Sequence, residues 1–157
     1  MNKAEMTAEE YLAEHGRFET TTSGISMYPL LRDRQYAVTI VPASGRLKKY
    51  DVALFRRGEQ LVLHRVIKVL PDCYCIRGDN CDKGETVSES QIVGVLSEIT
   101  GKDKHIKTSD FSYKLYSRLT VIFHPLRHFP EKVKGTFNKV YRFIRRTAKR
   151  ILKGKNQ

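Results

Sequence analysis

The sequence predicts a mainly β protein, a small coiled antiparallel β-sheet or partial barrel with a short N-terminal helix and a basic C-terminal helical extension. Its 157 residues are enough to bury a core. Short apolar, β-branched runs alternate with turn residues as far as residue 99, and after Gly101 the apolar residues take a helical spacing. We therefore expect an N-terminal helix and lead-in over 1–19, a β domain over 20–101 and an extension over 102–157.

The expected elements follow from local signals. Thr7-Ala8-Glu9-Glu10 has the capping-box pattern and opens a helix that carries Tyr11 and Leu12 and stops near Gly16. A turn rich in Ser and Gly at 23–29 precedes most of the strands. Five or six short strands are expected, at 18–22, 36–41, 51–56, 60–70, 73–77 and 92–99.

The pattern of the extension predicts helices with one apolar and one basic side. In its first helix Leu115, Tyr116, Leu119, Ile122 and Phe123 fall on one face, before Pro125 and Pro130 interrupt. In its second, apolar residues recur from Phe137 to Leu152, opposite a run of Lys and Arg. Such a stripe either packs on the domain or remains free to meet a partner.

The charge of the chain is concentrated in this extension. The net charge is +12, but residues 1–101 contain 13 Lys+Arg and 14 Asp+Glu, whereas residues 102–157 contain 16 and 3. The β domain is thus nearly neutral, at −1, and the extension carries +13. This charge predicts an anionic membrane surface as a partner of residues 110–153, with nucleic acid as the less favoured alternative.

Several other classes are disfavoured. The longest apolar run is far short of the roughly 18 residues of a spanning helix, and the acidic N-terminus lacks a signal-peptide pattern. We therefore expect a cytoplasmic protein, held peripherally at a membrane if the extension binds one. Cys73, Cys75 and Cys81 should be thiols. They lack a fourth ligand for zinc, and no phosphate-binding loop is present, so we expect neither metal nor cofactor.

Three places could carry chemistry. Ser26 lies in the Gly-containing turn, where its own backbone N–H could face an oxyanion. His64 interrupts an apolar strand, beside Arg65, and could instead be a structural histidine next to a sheet-edge charge. The turn Arg77-Gly78-Asp79-Asn80-Cys81-Asp82 supplies two carboxylates that could orient a histidine. Taken singly, each also has an ordinary structural explanation.

Together these segments are specific. Ser23-Gly24-Ile25-Ser26-Met27-Tyr28-Pro29, then Asp51-Val52-Ala53, then Leu63-His64-Arg65-Val66, then Ile76-Arg77-Gly78-Asp79-Asn80, closely resemble the signal peptidase I superfamily of serine peptidases. The resemblance covers roughly residues 20–100. His64-Arg65 stands where the common bacterial enzymes have a lysine base, as in the Ser-His branch of the endoplasmic-reticulum and archaeal enzymes.

The resemblance implies a serine endopeptidase that cleaves a leader, signal or pro-peptide after a small residue. Ser26 would be the nucleophile, His64 the base, and Asp79 or Asp82 the residue that orients the imidazole. Supporting roles fall to Ser23, Gly24, Met27, Arg65 and Asn80.

The chain departs from signal peptidases at Gly24, where a serine is usual. Ser-Gly-x-Ser-Met is instead similar to self-cleaving SOS and phage repressors. The alternative function is therefore a non-enzymatic or self-cleaving regulatory module that keeps the peptidase fold.

Overall fold

The computed structural model describes residues 6–102, 104–125 and 146, and it confirms a mainly antiparallel β fold with one helix at each end. The elements are α1 (Ala8–His15), β1 (Phe18–Thr21), β2 (Ala37–Val41), β3 (Val52–Arg57), β4 (Gln60–Val69), β5 (Cys73–Arg77), β6 (Glu85–Ser88), a 3₁₀ turn (Glu89–Gln91), β7 (Ile92–Gly101), β8 (Lys104–Lys107) and α2 (Phe111–Phe123).

Helix α1 forms as its sequence predicts. The Thr7 hydroxyl accepts the N–H of Glu10, and the Glu10 carboxylate accepts the N–H of Thr7, so the capping box is complete. Gly16 ends the helix at φ +67, a left-handed conformation in which glycine has no Cβ penalty. The buried Leu12 then fixes α1 to the sheet.

The strands form one sheet in the order β1-β2-β7-β3-β4-β5-β6, with β8 also paired to β7. All pairings are antiparallel. The register shifts between Thr39 and Ile40, Leu54 and Phe55, and Val66 and Lys68. Such irregularities increase local twist, and they coil this sheet so that it buries side chains on both faces.

The two faces of β3 and β4 pack into different hydrophobic clusters. Leu54 and Leu63 belong to the larger cluster, which also contains Leu12 of α1. Ala53, Phe55 and Val66 belong to the other cluster. Because both faces are covered, residues 63–66 of β4 are buried in succession, and a polar side chain there is enclosed whichever way it points.

The described part of the extension is continuous with the β fold. The expected boundary at residue 101 falls within the β7–β8 hairpin, and Ile106, Tyr113 and Tyr116 share the larger cluster with the strands. The second predicted helix, over 137–152, lies outside the described residues apart from Arg146. No helix in the described ranges is long and apolar enough to span a bilayer.

Helix α2 buries part of the face that the apolar spacing suggests, because Tyr116 is fully buried whereas Leu115, Leu119 and Phe123 are half-buried. Tyr113, Tyr116 and Ser117 are its buried residues, while Ile122 is 59% exposed. The inward side of α2 therefore carries aromatic rings and hydroxyl groups. These groups cover the buried ion pair of Arg65 and Asp79, which is described below.

Candidate active site

Ser26 lies in the tight turn between β1 and β2, which local hydrogen bonds hold in place. The N–H of Tyr28 donates to the carbonyl of Ile25 at 3.1 Å, and the N–H of Gly24 donates to Asp33 Oδ1 at 2.6 Å. Gly24 has φ +94, which a side chain would disfavour. This requirement accounts for a glycine at position 24.

His64 projects from β4 into a largely enclosed position, with 7% of its surface exposed. Its ring lies beside Phe55, with the ring centroids 6.0 Å apart. Burial lowers the pKa of His64 below its ordinary value of 6.5, although the Glu85 carboxylate opposes this shift. The imidazole is consequently neutral at pH 7, which is the protonation state a general base requires.

Glu85 of β6 is the carboxylate in contact with the His64 ring. His64 Nδ1 lies 3.3 Å from Glu85 Oε1, which is within ion-pair distance. The two atoms are not aligned for a hydrogen bond, and Nδ1 has no hydrogen bond to any described residue. Arg57 also pairs with Glu85, through Nε at 2.8 Å from Oε2. Glu85 is thus held between a guanidinium and the imidazole, where a small rotation would align it with Nδ1.

Gly78 brings Ser26 and His64 together. Arg65 pairs with Arg77 across β4 and β5, so His64 comes opposite Gly78 where the pairing ends. A Cβ on Gly78 would lie 2.7 Å from the Ser26 carbonyl oxygen and 3.1 Å from His64 Nε2. These two atoms are therefore within about 6 Å of each other, because both lie close to the same point. Cys81 Sγ, at 2.8 Å from that point, completes the crowding.

Arg65 and Asp79 form a buried ion pair beneath this turn. Arg65 Nε donates to Asp79 Oδ1 at 2.7 Å and NH2 donates to Oδ2 at 2.8 Å. Arg65 is 0% exposed, so it is not a sheet-edge charge. Its remaining N–H groups donate to the carbonyl of Tyr50 at 2.9 Å and to Ser117 Oγ at 2.7 Å. Each nitrogen of this buried guanidinium therefore has at least one hydrogen-bond partner.

Helix α2 covers the ion pair and the 78–82 turn. The Tyr116 hydroxyl donates to Asp79 Oδ2 at 3.1 Å, and Ser117 accepts from Arg65. Beyond the helix, His124 Nε2 lies 2.8 Å from the Cys81 carbonyl oxygen. Polar residues thus face inward on α2 because the group that they cover is charged.

A groove of about 510 Å³ runs beside Ser26 between two strand edges. One side is β1, which pairs with β2 alone among the described strands. The other is the start of β4, residues 60–63, where β4 pairs with β3 but β5 has not yet joined. The backbone N–H and C=O groups of both edges are thus available to an added strand.

Of the other predicted site residues, Ser23, Gly24 and Met27 line this groove, and Asn80 and Asp82 do not. Ser23 and Gly24 are exposed and line the groove with Ser26, whereas Met27 lines it from the buried cluster. Asn80 contributes its backbone N–H, which donates to the Ser26 carbonyl at 2.7 Å and ties the two turns together. Asp82 is exposed in the loop before β6.

That Asp79 or Asp82 orients the His64 imidazole remains a prediction. Glu85 is a third candidate for this role. Both oxygens of Asp79 accept hydrogen bonds from Arg65, so its clearest role is to hold the turn. Glu85 and Gly78 were not singled out as site residues from the sequence. Glu85 had no local signal, because its nearness to His64 depends on the pairing of Ile76 with Glu85 across β5 and β6.

No group of three His, Cys, Asp or Glu side chains in the described part of the chain could hold a metal ion. Cys73, Cys75 and Cys81 are free thiols. No protein-family model and no curated protein matches the sequence.

Proposed function

We propose that the protein is a serine endopeptidase in which Ser26 is the nucleophile and His64 the general base. The observation that carries the proposal is the meeting of the Ser26 turn and His64 Nε2 over Gly78. A serine hydroxyl is a weak nucleophile at neutral pH without a neighbouring base. A neutral, enclosed histidine next to the serine turn supplies such a base.

The reaction needs only groups of this site. Ser26 Oγ would attack the substrate carbonyl carbon while its proton passes to His64 Nε2. The carbon–nitrogen bond would then break as the imidazolium returns that proton to the leaving amine, and water would hydrolyse the acyl-enzyme by the same route. The backbone N–H of Ser26 is the oxyanion donor we favour, and Ser23 is a second candidate.

An extended peptide is the substrate that the groove favours. A strand laid between β1 and residues 60–63 of β4 could pair with both edges and pass Ser26. Thr20, Thr21 and Thr22 line the groove together with the apolar Leu31 and Leu54. By the family resemblance, cleavage would follow a small residue of a leader, signal or pro-peptide.

Residues 110–153 would hold the peptidase at the cytoplasmic surface of an anionic membrane. The net positive charge of this stretch is the support from the sequence, and nucleic acid remains the less favoured partner. Within this stretch the structure describes residues 110–125 and 146, and the first of these ranges contains α2.

Labelling with a fluorophosphonate probe tests the proposed function. We expect the full chain to be labelled at Ser26, as identified by mass spectrometry of the adduct, and Ser26→Ala to lose all labelling. Ser90→Ala, which removes an exposed hydroxyl from the 3₁₀ turn, should be labelled like the wild type.

Three outcomes decide between the candidate functions. An unlabelled wild type, or undiminished labelling of Ser26→Ala, would contradict the peptidase and favour a binding module. Fragments that form during purification and disappear in Ser26→Ala would instead identify a self-cleaving module.

The labelling rate should depend on pH through His64. Because burial lowers the pKa of His64 from 6.5, the rate should rise with pH, with a midpoint below 6.5, and be constant by neutral pH. Glu85→Gln removes a charge that raises this pKa, so its midpoint should move to lower pH. A wild-type rate that shows no decrease at any pH below 6.5 at which the protein remains folded would contradict the role of His64.

A further inference from the structure

A second pocket, of about 410 Å³, lies between the loop over residues 48–51 and α2. It shares no lining residue with the groove beside Ser26. Val52, Val95 and Leu96 contribute apolar lining. Four basic residues also line it, Lys48 and Lys49 from the loop and Lys114 and Arg118 from α2, and all four are exposed.

The charge of these four residues is not neutralised within the described ranges. None is within ion-pair distance of a described carboxylate, whereas Arg46, Arg56 and Arg57 each pair with a glutamate. Asp51 is the single acidic residue of the lining, and its Oδ2 accepts the backbone N–H of Lys48. The pocket therefore presents concentrated positive charge over an apolar lining.

The outer face of α2 extends this surface. Phe111, Lys114, Arg118 and Ile122 follow the spacing i, i+3, i+7, i+11, which places them on one stripe of the helix. Phe111 is 77% exposed and Ile122 is 59% exposed, although both are large apolar side chains. Because Tyr113, Tyr116 and Ser117 fix the opposite side against the sheet, this stripe is held outward.

We propose that this pocket and stripe bind the headgroup of an anionic phospholipid at a membrane surface. The phosphate would lie among the four cations, and Phe111 and Ile122 would enter the interfacial layer on either side. The exposed Ile122 favours lipid over nucleic acid, since isoleucine has no ring on which a base could stack, whereas Phe111 is compatible with either partner. The site rests on the membrane attachment proposed above for residues 110–153, but not on the peptidase activity.

Vesicle co-sedimentation of the full chain tests this site. We expect binding to phosphatidylcholine vesicles with about 30 mol% phosphatidylglycerol, and much weaker binding to phosphatidylcholine alone. Lys114→Glu/Arg118→Glu should weaken partitioning at least tenfold. Lys68→Glu/Lys83→Glu makes the same change of net charge at exposed positions outside the pocket, and it should weaken partitioning much less.

Removal of the apolar residues separates lipid from nucleic acid. Phe111→Ser/Ile122→Ser should weaken vesicle binding several-fold and leave the binding of a DNA duplex unchanged. Circular dichroism should show that each variant remains folded. Equal effects of the two charge reversals, equal binding to both vesicle types, or unchanged vesicle binding by Phe111→Ser/Ile122→Ser would overturn the proposal.

Discussion

Replacement of His64 by alanine is expected to slow fluorophosphonate labelling of Ser26 by about 10²- to 10⁴-fold. The imidazole of His64 places a neutral basic nitrogen at Gly78, next to the Ser26 turn. Without it the serine proton has no acceptor inside the site, and the hydroxyl loses its activation. Labelling rates at pH 7, measured by gel fluorescence over time, check this expectation.

His105→Ala is a matched control for this experiment. His105 also faces a carboxylate, with Nε2 at 3.0 Å from Glu98 Oε2, but its side chain is 55% exposed. Its removal should leave the labelling rate unchanged.

Rescue by small bases distinguishes a chemical role of His64 from a structural one. His64→Gly leaves a space beside Gly78 into which free imidazole can bind. We expect added imidazole to recover part of the lost labelling rate of His64→Gly and to have no effect on Ser26→Ala. If His64→Ala labels as fast as the wild type, His64 is not the base.

The β fold could be predicted where each strand carries its own hydrophobic signal. Residues 73–77 were predicted with the observed bounds, and the long strand β4 within one residue. Strands β6 and β8 were not predicted, because each has four residues and a single buried apolar side chain, Val87 or Ile106. A two-residue hydrophobic periodicity cannot be recognised in so short a segment. These strands form because β5 and β7 provide backbone groups with which they can pair.

Some residues of the candidate site could likewise be predicted from their own segment of sequence, whereas others depend on residues far along the chain. The Ser26 turn and the histidine strand could be recognised from their own residues. Arg65 could not be assigned from local pattern, because its burial depends on Asp79, 14 positions along the chain, and on hydroxyls from α2. Helix α2 turns Tyr113 and Ser117 inward together with Tyr116 and leaves Ile122 exposed, since the buried ion pair needs hydrogen-bond partners that aliphatic side chains lack.

Disruption of the Arg65–Asp79 pair is expected to be the most destabilising single change in the described core. Arg65→Met would leave the Asp79 carboxylate buried without the guanidinium that balances its charge. Breaking a buried pair in this way costs about 3–5 kcal/mol. The free energy of unfolding, obtained from urea denaturation, should fall by that amount.

A matched substitution and a double variant show whether this loss comes from the stranded charge. Arg17→Met breaks the Arg17–Glu19 pair, in which both side chains are more than half exposed, and should cost less than about 1 kcal/mol. Adding Asp79→Asn to Arg65→Met removes the unpaired charge and should recover part of the stability. If Arg65→Met costs no more than Arg17→Met, the ion pair does not hold the 78–82 turn, and α2 is fixed to the sheet by its apolar contacts alone.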